Sequence, residues 1–273
     1  MTAPASNAAV DFTLFIPCLN EAPRVEGTLE TVRLAMEQLG RSYEALVVDD
    51  GSTDDTAAVV ERYARAHPDM PVRLHRNGRN EGVAYSFVEA AFMGRGLFFR
   101  LVWGDDVEPR ETLVRILSLA GRADLVIPYY PHVPGKGAAR MGLSRLYTGL
   151  VNVLSGFRLH YYNGSVLCRR YDAMRWSPHN HGFTGFLADL ITQLLAEGAT
   201  YMEIPVEGRH ITKAGKATPL SVRNFISTGL TLQAILQRRF SYWLFRKQRG
   251  RPRAVALPRP PAPATEAGEA QPS

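Results

Sequence analysis

The stretch LVVDDGSTDDT, Leu46 to Thr56, limits what this chain can fold into more than any other. A short apolar run from Ala45 to Val48, of β type, stops abruptly at Asp49 and Asp50. Gly51, Ser52 and Thr53 supply turn chemistry, and Asp54 is placed to cap a helix beginning near Asp55. Two carboxylates are thereby set at the C-terminal end of a buried strand, beside a helix start. In open α/β sheets that edge is where ligands bind. Asp-Gly-Ser is also ordinary turn chemistry, but one turn needs one Asp, and here three fall within six residues.

The same strand-then-helix unit recurs along the first half. Phe12 to Ile16 is a strand ended by Pro17, with Cys18-Leu19-Asn20-Glu21 as the loop beyond. Pro23 suits a helix start, and Val25, Leu29, Val32, Met36 and Leu39 follow at helical spacing up to Gly40. Val72 to His75 is a further strand, and the turn Asn77-Gly78-Arg79-Asn80-Glu81-Gly82 leads into a helix. Leu97 to Trp103 is an apolar strand ending at Gly104-Asp105-Asp106, Pro109 opens a helix, and Leu125 to Tyr129 is a strand. Short connections between alternating elements predict an α/β fold, a mostly parallel central sheet with helices on both faces. The second half is less regular. Helices are expected over Arg140–Leu154, Phe186–Leu195 and Leu220–Leu236, with strands over Tyr161–Cys168 and Tyr201–Val206. The expected organisation is a structureless lead-in (1–10), one domain (11–237), a basic aromatic segment (238–253) and a Pro/Ala-rich disordered tail (254–273).

Composition narrows the setting. Two cysteines in 273 residues make no disulfide framework, which points to a reducing compartment, here the cytoplasm. Met1 to Val10 lacks the basic start and apolar core of a signal peptide, and no apolar run approaches the roughly 20 residues of a spanning helix. The net charge of +6 is local: Gln237 to Arg253 holds seven Lys/Arg and no acid, interleaved with Phe240, Tyr242, Trp243, Leu244 and Phe245. That mixture suits an anionic membrane surface. It also fits a nucleic-acid patch, but the membrane surface is the preferred reading and nucleic acid is not expected as a partner. No feature specifies an oligomeric state.

Three strands end in polar groups on one predicted sheet edge: Asn20/Glu21, Asp49/Asp50 and Asp105/Asp106. No Gly-rich phosphate loop of the G-x-G-x-x-G or G-x-x-x-x-G-K type occurs. A nucleotide held here needs carboxylates for base and ribose and a divalent cation, magnesium or manganese, for its phosphates. Plainer readings stand beside these: Glu21 as a helix-start acid, Asp106 as a cap for the helix after Pro109, and Arg140 and Arg145 as exposed helix arginines. His179 and His181 lie close in sequence, but no acid accompanies them, and a loop reading fits.

FIPCLNEA, VVDDGSTDDT, the 77–82 turn and a strand-end Asp pair followed by Pro resemble the family 2 glycosyltransferases of the GT-A fold. Within them the chain is similar to the dolichol- or polyprenol-phosphate sugar synthases, over about Phe12 to Gln237. The resemblance implies an inverting transfer from a nucleoside-diphosphate sugar to a polyprenyl phosphate or other membrane-associated acceptor. It implies that Pro17, Asn20 and Glu21 shape the base site, and that Asp49 holds base or ribose with Asp50 and Ser52 supporting the turn. Asn77 and Gly82 would line the donor site. Asp105, then Asp106, would take the metal-binding position, but Trp103 stands where the family's first acid usually does. Arg140, Arg145, Arg209, Lys213 and Lys216 would grip donor or acceptor phosphates, and His210 would complete the metal site. Asp189, in GFLADL, would be the base for a hydroxyl acceptor or simply a helix residue facing the site; a phosphate acceptor needs no base. A non-catalytic nucleotide-binding relative is the other alternative.

Overall fold

A computed structural model of the chain describes residues 9–131, 138–178, 185–207, 222–245 and 250–258. The first half follows the apolar pattern closely. Strands β1 (Val10–Cys18), β2 (Tyr43–Asp49), β3 (Val72–Arg76), β4 (Gly96–Leu101) and β5 (Leu125–Tyr129) alternate with helices α1 (Val25–Leu39), α2 (Thr56–Ala66), α3 (Val83–Met93) and α4 (Arg110–Leu117). Gly40 ends α1 in the left-handed region at φ 61°, its amide returning to Met36 O at 3.0 Å. β1 starts at Val10, inside the stretch expected to lack structure, because Val10 pairs with Gly96 of β4.

The second half adds α5 (Ala138–Ser155), β6 (Leu167–Arg169), α6 (Arg170–Met174), α7 (Phe186–Ala196), β7 (Thr200–Pro205), α8 (Val222–Leu244) and β8 (Arg253–Ala254). The eight strands form one sheet in the order β3-β2-β1-β4-β6-β5-β7-β8. β6 runs antiparallel to both neighbours and the remaining pairs are parallel.

Strand residues alternate between two cores. Leu14, Ile16 and Val47 pack with Leu29, Val32, Leu113 and Ile116 of α1 and α4. Phe15, Leu46 and Val48 point the other way, to Phe87 of α3, Phe186 and Ile191 of α7 and Ile235 of α8. Burial on both faces explains why these strands read as nearly continuous apolar runs.

Three expectations are corrected. β6 is far shorter than Tyr161–Cys168, because the chain crosses β5 first: a Cβ at Gly164 would stand 2.1 Å from Pro128 O. α8 runs on to Leu244, past the expected end at Leu236 and through the 237/238 boundary, because Arg238 and Arg239 find partners on α7 and α5. The tail expected to be disordered from Ala254 begins instead as a strand. β8 pairs with Thr200 and Tyr201, Gly250 N donates to Ala196 O at 2.8 Å, and Val255 N to Tyr201 O at 2.7 Å.

Candidate functional site at the strand ends

β1, β2 and β3 finish level, with Cys18 paired to Asp49 and Asp49 to Arg76. The loops beyond are stitched together by side chains. Asn20, at φ 56°, donates its amide to Ser52 Oγ (2.9 Å) and accepts from Thr53 N (2.9 Å) through its side-chain oxygen. Left-handed backbone is uncommon outside glycine, and Asn is among the residues that tolerate it best. Glu21 N donates to Thr56 Oγ1 (2.9 Å), and Ala22 N to Asp54 Oδ2 (3.2 Å). Glu21's carboxylate is held by the Arg24 guanidinium at 2.5 Å. Asp54 accepts from Thr56 N at 3.0 Å, but the N-cap of α2 is Asp55, one residue later than read from the sequence, and its side chain makes no capping hydrogen bond. Burial works to raise the Asp54 pKa, but the Thr56 hydroxyl and the amides of Thr56 and Ala22 outweigh it, leaving the carboxyl below its ordinary range.

The two adjacent acids on β2 have different tasks. Asp49 is buried; its Oδ1 accepts from Ser52 N at 2.9 Å, and Arg76 Nε lies 3.6 Å from Oδ2. Asp50 accepts from Asn77 Nδ2 (2.7 Å), Glu81 N (2.9 Å) and Gly82 N (2.9 Å), and so shapes the whole 77–82 turn. Gly51 lets that turn close: at φ 80°, a Cβ there would stand 2.6 Å from Arg79 C. Asn77 and Gly82, expected to line a donor site, are thus the partners that fix Asp50.

The loop after β4 completes the rim. A Cβ on Gly104 would stand 2.6 Å from Cys18 Sγ and 2.9 Å from Pro17 O, so this loop lies directly on the end of β1. Burial, then the charges of Glu21, Asp49, Asp105 and Asp54, push the Cys18 thiol far above its ordinary range. Cys18 is thus the point where the loop after β4 meets the ends of β1 and β2, segments that carry Glu21, Asp49 and Asp105. Asp105 and Asp106 diverge, because the chain turns at Asp106 with φ 53°. Asp106 faces α1: its amide donates to Thr28 Oγ1 (3.0 Å) and its Oδ1 accepts from Thr31 Oγ1 (3.4 Å). Beneath them Glu108 forms a bidentate pair with the fully buried Arg100 at 2.6 and 2.7 Å. Sequence reasoning missed this pair. An arginine inside the apolar run LFFRLVW was its signal, since a buried guanidinium requires a carboxylate.

Asp189 lies in the first turn of α7 and is 2% exposed. Its Oδ2 accepts from Trp176 Nε1 at 3.1 Å, and its Oδ1 is paired with Arg238 of α8. Arg238 also donates to Thr192 Oγ1 at 3.1 Å. Arg145 is exposed on α5. The side chain of Arg140, and all of Arg209, His210, Lys213 and Lys216, lie outside the described residues, as do His179 and His181.

No group of three or more His, Cys, Asp or Glu that could hold a metal ion occurs among the described residues. Asp105, with Trp103 two residues before it and Asp106 turned away, is one hard oxygen donor in reach of the rim. That suits a cation bound jointly by a carboxylate and a substrate diphosphate, as magnesium and manganese sites of this type are built.

A mostly parallel sheet with an antiparallel strand between β4 and β5, and with acid-bearing loops at its strand ends, is the GT-A architecture of the nucleotide-sugar transferases. Solved structures with this fold include a mannosyltransferase from Pyrobaculum calidifontis in complex with GDP-Man and Mn2+, with a TM-score of 0.55 at 17% identity over 89% of this chain and 77% of that one. Glucosyl-3-phosphoglycerate synthase from Mycobacterium tuberculosis, with Mn2+, UDP-glucose and phosphoglyceric acid, aligns with a TM-score of 0.59 at 15% identity over 83% and 80%.

The chain belongs to glycosyl transferase family 2, whose profile matches residues 13–183. It is 30% identical to a dolichyl-phosphate beta-glucosyltransferase of Trichomonas vaginalis over 156 residues, 53% of this chain and 46% of that protein. It is 33% identical to an undecaprenyl-phosphate 4-deoxy-4-formamido-L-arabinose transferase of Shewanella sediminis over 226 residues, 81% of this chain and 65% of that protein. The chain thus spans about half the length of the first and under two-thirds of the second.

Proposed function

We propose that this chain is an inverting glycosyltransferase that moves a sugar from a nucleoside-diphosphate sugar to a polyprenyl phosphate at a membrane surface. The observation that carries the reading is that the loop bearing Asp105 lies on the end of β1, beside Asp49 and the Glu21 loop, on an edge that Asp50 and Asn20 hold in shape. Relatives that transfer to dolichyl phosphate and undecaprenyl phosphate support the acceptor class.

In this reading Pro17, Asn20, Glu21 and Asp49 bound the nucleoside, and Asp50 with Ser52, Asn77 and Gly82 keeps its walls in place. Asp105 would hold a divalent cation, magnesium or manganese, with His210 as a second ligand; when bound, it supplies charge stabilisation for the departing diphosphate. Arg140, Arg145, Arg209, Lys213 and Lys216 would neutralise donor and acceptor phosphates. The acceptor phosphate carries its own nucleophilic oxygen, so no residue of the chain needs to take a proton from it.

Asp189 bears on the choice between acceptors. A general base must come within hydrogen-bond reach of the proton it removes. Asp189 is buried, with Trp176 and Arg238 at its two oxygens, which gives a hydroxyl acceptor no open approach and favours the phosphate. The hydroxyl-acceptor alternative and the non-catalytic alternative, motivated by Trp103, are separated from it by experiment. The basic aromatic segment is assigned to the membrane surface, on the cytoplasmic face, except for Arg238, which pairs with Asp189, and Arg239, which binds carbonyls of α5.

Thermal shifts with UDP-, GDP- and CDP-sugars, with and without manganese, identify the donor, because a ligand bound only by the native state raises stability by RT ln(1 + [L]/Kd). Transfer to a short-chain, water-soluble polyprenyl phosphate then tests the reaction, and Asp189→Asn should leave it largely intact. Loss of turnover in that variant, with transfer to a glycan hydroxyl in the wild type, would establish the alternative. Binding of a donor without hydrolysis or transfer in manganese would leave only the non-catalytic reading.

A further inference from the structure

The acids of this chain are distributed unevenly. None occurs between Asp124 and Asp172, and none between Glu207 and Glu266. α5 lies wholly in the first of these stretches and α8 wholly in the second. The two helices pack together, and Arg239 of α8 donates to Val153 O (2.6 Å) and Leu154 O (3.3 Å) near the end of α5. It thus satisfies carbonyls that a helix C-terminus leaves open.

Both helices turn one side to the core and an apolar side outward. On α5, Thr148, Val151 and Ser155 are buried, while Leu146, Leu150 and Val153 are exposed at helical spacing. On α8, Ser227, Thr231, Ala234 and Ile235 are buried, while Ile226, Phe240 and Trp243 are exposed, the last at 73%. An exposed apolar face built from two joined helices marks an interaction surface.

We propose that α5 and α8 together form the plate with which this chain lies on an anionic bilayer leaflet. The proposal rests on the lipid-acceptor reading and extends it, because α5 and the N-terminal half of α8 lie outside the basic aromatic segment. Charge selects the occupant. Neither helix carries an acid of its own and Arg145 is exposed on α5, so two copies meeting through this face would bring like charges together, whereas anionic headgroups complement them. The helices lie on the leaflet rather than cross it, since no helix among the described residues is long and apolar enough to span a membrane.

Flotation of the full chain with phosphatidylcholine vesicles, with and without phosphatidylglycerol, tests this. Wild type should float with the anionic vesicles, and raising salt should weaken it. The double variant Leu146→Gln/Val153→Gln, which leaves the basic segment untouched, should lower partitioning about tenfold or more, as expected for two aliphatic side chains withdrawn from the interface. Trp243→Gln should act in the same direction, and Phe92→Gln, on α3, should not. A double variant that floats like wild type, or wild type that does not float at low salt, overturns the plate. So does a lipid-free dimer that the double variant converts to monomer, since the face then belongs to a second copy. Circular dichroism verifies that each variant is folded. Transfer to the water-soluble acceptor separates the two proposals: flotation lost with transfer retained removes the plate alone, and transfer absent with flotation retained removes the lipid-acceptor reading alone.

Discussion

Two buried carboxylates of this chain are satisfied in opposite ways. At the strand-end rim, Asp50 accepts from two backbone amides and the Asn77 side chain, all neutral donors. At the α7–α8 junction, Asp189 is paired with the Arg238 guanidinium and accepts from the Trp176 indole. Neutral donors fix a carboxylate without cancelling its charge; an arginine does both. Asp50 therefore keeps its charge on the rim, although Asp49 beside it meets the Arg76 guanidinium at 3.6 Å and Glu21 is paired with Arg24, while the junction is neutralised. The first arrangement suits cation and nucleotide binding, and the second suits holding helices together.

The largest expected effect that would break this contrast lies on the rim. Asp105→Asn should lower sugar transfer by at least about 100-fold, the order seen when one stabiliser of developing negative charge is lost. Its melting temperature should stay near wild type. Turnover unchanged in manganese would put the cation elsewhere.

Next comes the junction. Arg238→Ala leaves Asp189 buried without its cation and should cost about 3 kcal/mol of stability, read by urea unfolding. The double replacement Asp189→Leu/Arg238→Met should recover most of that loss, because an apolar pair can replace a buried ion pair. If it does not, the pair does more than join two helices.

Asp50→Asn sharpens the comparison from the rim side. It turns an amide group toward donors that need an acceptor, at about 1–3 kcal/mol. Donor KM should rise more than kcat falls, since the damage is to the 77–82 turn.

The smallest effect is on pH dependence. The Asp54 carboxyl titrates below its unfolded value, so its contribution is fully present above the ordinary Asp pKa and is lost as pH falls through the folded value. Asp54 is exposed, and the contribution is about 0.5 kcal/mol after screening. Asp54→Asn should flatten the acid limb of the stability curve by that amount.

How much was legible in the sequence follows the range of the interactions. The first five strands and the acids at their ends are written locally, in apolar runs broken by turn residues, and β1 to β5 lie where those runs lie. Gly51 and Asp50 could be read as turn chemistry, although that they clasp residues 79–82 could not. Asp106 beside Asp105 looked like a second ligand, and only the contact with Thr28 and Thr31 sends it to α1. The Arg100–Glu108 pair, the full length of α8 and strand β8 depend on partners distant in sequence or in another element, which periodicity does not record. Asp189 reads as a base only because its position matches a family pattern. Its partner Arg238, 49 positions later in the chain, reads in sequence as part of a basic surface segment.

Strand β6 has a further consequence, for synthesis. β4 and β5 follow one another in the chain but never touch as neighbours in the sheet; the three residues Leu167–Arg169 bridge them. While the protein emerges from a ribosome, its first 130 residues thus hold β4 with a bare edge and β5 with no neighbour to dock on. An unpaired edge is a template for pairing with other chains. The growing polypeptide is therefore most exposed to misassembly just before residue 167 appears, and a truncation in the α5–β6 connection should be more aggregation-prone than one placed after β7.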